Sequence, residues 1–414
     1  MRIVEKLKRT LSLFDAVNIA LGSIIGAGIF VILGSAAGIA GPAVFISVLV
    51  AAAVALMTGV ASADLSRLYP QSGGAYRFAR ETISDSAGFI VGWVWLFSNI
   101  VAGATVAIGF GYYLNFFIPS FPANYGAAII VILTTAVNLL GIGESSRINN
   151  ILVTLKVIIL IIFIALAALF FRFSNFAPLM PFGIGGVLAG AATIFFAYSG
   201  FARVAVVADE VKDPEKNVPK ATIISILIST LLYAAVAIAA IGLAGYAALS
   251  RSGSPLSDAL GSVGLGFGAM IIAVGALIAT GTVVLASVLG LSRLAFTMSQ
   301  NDELPGWFGK VGKKSAAPVN AILASGAAML VFALFANLPT IAYVSSFSLL
   351  LYYAAINLSG IKVLKGLVRL AAVGGLVSCV VLMVSLPPAS WLVGIIAVLF
   401  GVTYYFWRMR IRVR

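Results

Sequence analysis

Two glycine-interrupted apolar stretches and one deeply placed lysine carry the chemistry in this sequence. The first stretch reads Gly22-Ser23-Ile24-Ile25-Gly26-Ala27-Gly28-Ile29-Phe30. The second reads Phe195-Phe196-Ala197-Tyr198-Ser199-Gly200-Phe201. Each sits in a segment apolar enough to span a bilayer. Glycine weakens a helix there, and lipid offers the loosened backbone no hydrogen-bond partner. Protein, water or a substrate must satisfy the freed groups. A helix N-terminus presents N–H groups and a positive dipole end to an anion, and a C-terminus presents carbonyls to a cation. Two antiparallel breaks therefore suit a zwitterion such as an α-amino acid. Paired breaks in corresponding halves of one apolar chain point to a secondary transporter with its site at the bilayer midplane. Close helix packing is the other use of such glycines, and Gly22 and Gly26 form a small-xxx-small pair.

Lys156 lies roughly 12–14 Å into a helix that starts near Ile148, at the standard rise per residue. An ionisable group that deep is a functional candidate, although a lysine stem can also snorkel to the interface. Lysine normally keeps its proton at neutral pH, and burial weakens its hold on it. Lys156 is therefore a candidate carrier of a coupling proton, with the Ser287 hydroxyl as a possible partner. Small polar residues at Ser98, Asn99, Thr280 and Ser346 are candidates for a side-chain pocket, and suggest a small or medium neutral occupant. Asp64 is a candidate for a gate network with Arg67, or a solvated interfacial carboxylate. Asp15 follows Ser12 by three residues and reads as a helix cap. Trp93 and Trp95 read as interfacial anchors.

These residues must be held by membrane helices. Of 414 residues, 62% are hydrophobic and 9% charged, too little charge for a soluble surface. At roughly 20 residues per span, about twelve spans fit. They fall at about 11–37, 43–68, 87–117, 124–142, 148–171, 184–208, 219–244, 262–299, 318–336, 338–358, 366–386 and 389–407, with boundaries good to a few residues. The net charge of +13 is not a nucleic-acid footprint. Lys and Arg, from Arg2, Lys6 and Lys8 through to Arg414, fall on one side. Only Arg172 and Arg251 fall in loops of the other side, and Lys156 falls within a span. The positive-inside rule then puts both termini in the cytoplasm of a multi-pass plasma-membrane protein. There is no histidine, which excludes Ser–His triads and histidine relays. No metal, no cofactor and no enzyme activity is expected. The lone Cys379 reads as a packing residue.

The chain reads as one membrane domain over 1–414. Spans 1–5 (10–171) and 6–10 (184–358) each open with an interrupted helix. Five is odd, so the second unit enters from the opposite side as an inverted repeat, and spans 11 and 12 (366–407) stand outside it.

In this order along the chain, Gly22–Phe30, Tyr69–Tyr76, Phe195–Phe201 with Glu210 and Pro219, and Ser292-Arg293 through Leu304-Pro305 resemble the amino acid–polyamine–organocation transporter superfamily. Lys156 is similar in position to the fifth-helix lysine of its prokaryotic proton-coupled members. The resemblance implies an all-α fold of twelve membrane helices, five plus five inverted, with helices 1 and 6 broken, working by alternating access. It implies that amides at Ser23, Gly26, Ala27 and Gly28 bind a substrate carboxylate. Carbonyls at Phe196, Ala197 and Ser199 would bind its amine, Phe201 would be a gating aromatic, and Glu210 would serve the cytoplasmic gate.

The sequence thus reads as a proton-coupled importer of amino acids, with substrate, proton and lipid as its partners. A cationic amino acid or polyamine exchanger is disfavoured because no Asp or Glu lies near a span centre. A transporter-like nutrient sensor would share the same pocket.

Overall fold

The computed structural model describes residues 9–69, 73–141, 146–312 and 317–412, and among these it is built from helices alone. Pro70, Gln71 and Ser72 of the second motif lie outside the described residues, as do Arg2, Lys6, Lys8 and Arg414.

The first apolar stretch begins with α1 (Leu13–Ile24). A π-helical turn (Gly28–Ile32) then leads into α2 (Leu33–Ala40). Next come α3 (Val44–Leu68), the short α4 (Gly74–Thr82), α5 (Asp85–Phe117), α6 (Ala123–Leu139) and α7 (Ser146–Ala168). The sixth apolar stretch is α8 (Gly183–Ile194), a 3-10 helix (Phe195–Ala202) and α9 (Arg203–Val206). Beyond it lie α10 (Pro214–Ala244), the short α11 (Tyr246–Arg251) and α12 (Pro255–Gly261), and α13 (Gly266–Gln300). The chain closes with α14 (Val319–Phe335), α15 (Leu338–Val363), α16 (Gly366–Val384) and α17 (Pro388–Arg412).

Among the described residues, nine helical stretches are long and apolar enough to cross a membrane. The first of them, Leu13–Leu68, contains α1, α2 and α3, while α6 and α14 are shorter apolar helices. The apolar window of α15 is 78% buried and that of α17 only 17%. So α15 runs through the protein interior and α17 lines its edge. The edge shows Leu392, Ile396, Leu399, Phe400 and Trp407 outward, a face that suits lipid rather than water.

Local chemistry explains where the elements start and join. Ser12 and Asp15 form a capping box: the Asp15 amide donates to Ser12 Oγ at 3.2 Å and the Ser12 amide to Asp15 Oδ2 at 2.9 Å. Asn150 Nδ2 donates to Asp15 Oδ1 at 2.7 Å, tying α7 to the foot of α1. Leu11 donates its amide to the Glu210 carbonyl at 3.0 Å and accepts from the Lys212 amide at 2.8 Å. The entry to α1 is thereby laced to the exit of the sixth stretch.

Helix α4 is absent from the sequence reading, which took this stretch as loop. Tyr76 on α4 donates to Glu303 Oε2 at 2.9 Å. Arg80 pairs with Glu303 Oε1 at 3.3 Å and with Asp85 at 2.7 Å, and Asn301 Nδ2 donates to Tyr76 Oη at 2.9 Å. From α17, Arg408 donates to the Asp302 and Leu304 carbonyls. This polar clasp joins α4, α13's trailing loop and α17. Burial and the adjacent Glu303 carboxylate push the Tyr76 phenol up to about 12, so it stays a donor. Tyr76→Phe strips a donor from a buried carboxylate and should cost about 1–3 kcal/mol. The folded value lies above the ordinary one of about 10, so this contribution is whole below pH ~10 and fades towards pH ~12. Thermal unfolding of wild type and variant at pH 7 checks the prediction, and an unchanged Tm would refute it.

Candidate substrate cavity at the helix crossing

The break in the first stretch is local and sharp. Ile25 is extended (φ −76°, ψ 92°) and donates back to Leu21 at 2.8 Å, so α1 stops there. A helix end leaves its last carbonyls without intrahelical donors. The structure supplies them from side chains. Lys156 Nζ donates to the Gly22 carbonyl at 3.0 Å, and Tyr233 Oη donates to the Ile24 carbonyl at 2.7 Å. Above the break, Tyr113 Oη donates to the Phe30 carbonyl at 2.6 Å. Lys156 is 1% exposed and sits where the negative end of the α1 dipole favours a cation.

The second irregularity differs from expectation. Helix 6 is not opened at Phe195–Phe201 but wound tighter, as a 3-10 helix over Phe195–Ala202. Bonds from i to i+3 keep its backbone groups paired in an apolar interior, where an open break would strand them. Tyr353 Oη also donates to the Ser199 carbonyl at 2.6 Å. The two irregular segments cross in contact. A Cβ on Gly28 would lie 2.5 Å from Ala197 Cα, and one on Gly200 would collide with the Ser23–Ile24 backbone.

A cavity of about 40 Å³ lies at this crossing. All seven residues read from sequence as substrate contacts line it: Ser23, Gly26, Ala27, Gly28, Phe196, Ala197 and Ser199. Asn99 and Ser287 line it as well. Ser98, Thr280 and Ser346 do not. Ser98 donates to the Trp95 carbonyl at 3.0 Å and Thr280 to the Ala276 carbonyl at 2.6 Å, as buried helix hydroxyls commonly do. Ser346 donates across to the Thr193 carbonyl of α8 at 3.2 Å. Phe201 is fully buried and stacks on Tyr353, ring centroids 4.9 Å apart. Asp64 pairs with Arg67 at 2.7 Å, and Arg67 Nε reaches the Glu215 carbonyl at 3.3 Å. Glu210 contributes its main chain to the Leu11 lacing. Ser287 lies on α13. Its hydroxyl donates to the Val283 carbonyl at 2.7 Å and accepts from Arg203 Nη2 at 3.3 Å.

Among the lining groups that escaped the sequence reading, Trp95, Tyr353 and Arg203 are the most polar or aromatic beside Tyr352. Trp95, taken for an interfacial anchor, lines the cavity from α5. Tyr353 looks like any core aromatic on α15. Arg203 counts by sequence as one more basic residue near a loop. The signal that could have found it is its place two residues after Phe201, still within the apolar stretch. Trp93 packs α17 instead, with Nε1 donating to the Ala397 carbonyl at 2.9 Å.

The amino acid permease profile matches residues 15–410. The chain belongs to the amino acid permease family. Among relatives of the permease, a methylthioribose transporter of Bacillus subtilis (strain 168) is 35% identical, over 97% of this chain and 94% of that protein. A branched-chain amino acid permease from the same organism is 36% identical over 76% and 72%. A cationic amino acid transporter of Arabidopsis thaliana is 29% identical over 86% and 62%. The family lies in the amino acid–polyamine–organocation superfamily, so the permease is a multi-pass membrane transporter of amino acids and not an enzyme.

Proposed function

We propose that this permease imports amino acids with neutral, small to medium side chains by proton symport, through alternating access. The observation that carries this reading is the Lys156–Gly22 bond beside the cavity. On this reading the amides opening the second half of helix 1, at Gly26–Gly28, take the substrate carboxylate. Carbonyls of Phe196, Ala197 and Ser199 take its ammonium; a carbonyl has two lone pairs, so each can serve its i+3 amide and one further donor, and at Ser199 the ammonium takes the place of Tyr353 Oη. Protonated Lys156 holds the free end of α1. Loss of its proton weakens that hold and lets α1 swing, opening the cavity towards the cytoplasm. Phe201 and the Asp64 and Glu210 regions then act as gates.

The architecture that goes with this reading has twelve spans in one domain, 1–414. The nine long stretches, with the first divided between α2 and α3, and the two short apolar helices supply them. Residues 10–171 and 184–358 are the inverted repeats, 366–407 stand outside them, and both termini are cytoplasmic by charge placement.

Uptake by purified permease in liposomes, across a panel of labelled amino acids with and without an inward acid gradient, tests the proposal. Accumulation should require acid outside. It should be unchanged when sodium is replaced by potassium or choline, because an ammonium at the end of α1 excludes a second cation there. Decarboxylated amines should not compete. Strict sodium dependence at fixed pH would reject proton symport.

A further inference from the structure

We propose that the seam between α1 and α7 is the cytoplasmic exit for the coupling proton, with the Asn149 and Asn150 amides positioning the water that conducts it from Lys156 towards Asp15. The inference rests on the transport reading above and adds the route by which Lys156 discharges. Lys156 is 1% exposed, so its proton needs a hydrogen-bonded path to reach bulk water. The two directions along α7 differ. Beyond Lys156 the buried residues of α7 are Ile159, Leu160, Phe163 and Ala167, which give a proton no partner. Towards the N-terminus of α7, the cytoplasmic end on the proposed topology, come Val153 and then Asn150 and Asn149. Long side chains lean towards the N-terminus of their own helix, so the lysine stem runs in this direction. Gly22 joins the two levels. Its carbonyl accepts from Lys156 Nζ at 3.0 Å, and a Cβ built on it would lie 2.9 Å from Asn149 Oδ1. Asn150 Nδ2 then donates to Asp15 Oδ1 at 2.7 Å. Asp15 stands about two turns before Gly22, on the same face of α1. Two polar atoms in the seam, Asn149 Nδ2 and Asn150 Oδ1, are buried and have no hydrogen-bond partner among the described residues. Groups left so are costly, and water is the usual remedy. One is a donor and the other an acceptor, so they can order a chain of water. Tyr233 at the Ile24 carbonyl, Arg203 at Ser287, and Lys212, whose charge acts on Asp15, also border the route. Of these groups Asp15 is the anion. As the hold on α1 slackens, the proton leaves through the seam that its departure unlocks.

The test separates net transport from exchange by purified permease in liposomes, with labelled L-alanine or whichever panel member wild type accumulates most. Net accumulation driven by acid outside requires the proton to be released inside. Exchange of internal for external amino acid uses the protonated carrier in both directions and does not. Asn149→Leu replaces the amide with an apolar side chain of similar size. It should slow acid-driven net uptake at least about tenfold, a modest figure for a positioned proton-transfer group, and leave exchange at the wild-type rate. Asn149→Ser keeps a hydroxyl in the seam and should restore net uptake to within a few-fold of wild type. A purely structural role lowers net uptake and exchange together, and that result overturns the proposal. Wild-type net uptake by Asn149→Leu overturns it too, while the transport reading stands. If wild type accumulates nothing under an acid gradient, the transport reading fails and the exit route with it. Asn149→Val takes the place of the leucine variant should that one not assemble.

Discussion

Gly200→Ala is expected to abolish uptake, and Gly28→Ala likewise, in protein that still assembles in the membrane. A Cβ at either position meets the backbone of the opposing segment: Ser23–Ile24 for Gly200, Ala197 for Gly28. Overpacking against movable side chains usually costs about 1–3 kcal/mol. Backbone cannot step aside, so the crossing must spread. Three kcal/mol lost from the binding-competent geometry is already about a hundredfold in affinity. Gly26→Ala is the informative contrast. Its Cβ would meet the Val283 methyl at 2.9 Å, a side-chain end that can shift, so a few-fold loss is expected. Gly261→Ala on α12 faces open space and serves as the control. Uptake at matched incorporation measures all four. Gly200→Ala with wild-type uptake would show that the crossing is not the site.

Lys156→Ala should lose accumulation driven by an acid gradient. The side chain is fully buried and donates to a carbonyl that the interrupted helix leaves behind. Removing it costs about 1–3 kcal/mol through the stranded acceptor, so Lys156→Met, of similar volume, should accompany it to separate packing from charge. Lys156→Arg keeps the charge permanently and should bind substrate yet fail to cycle. The decisive measurement is uptake against the substrate gradient with acid outside. If Lys156→Ala and Lys156→Met still concentrate substrate, the proton travels elsewhere, and Asp64 and Glu210 come next.

The first interruption was legible because Gly26 and Gly28 cluster where a membrane helix tolerates them least, and the Ser12–Asp15 spacing announced the cap. The tight winding of the sixth stretch was not. Glycine and serine signal a weak helix but do not choose between an open break and a 3-10 turn; burial makes that choice. The hydroxyls of Ser98 and Thr280 look available in sequence, yet each turns back on its own helix. Tyr113, Tyr233 and Tyr353 were invisible as functional groups because each is one aromatic among many. Only the three-dimensional packing brings their hydroxyls to carbonyls at Phe30, Ile24 and Ser199. Arg203 was hidden by its sequence neighbourhood, close to a basic loop.

The crossing of two irregular segments through Gly28 and Gly200 has one more result. The walls nearest the crossing are made of main chain, which side-chain changes elsewhere in the chamber leave in place. Substitutions can reshape the rest of the chamber, at Trp95, Asn99, Arg203 or Tyr353, without erasing the part suited to an amino acid's shared head group. On the proposed reading, a scaffold divided in this way is free to drift in side-chain preference while keeping its grip on the head group.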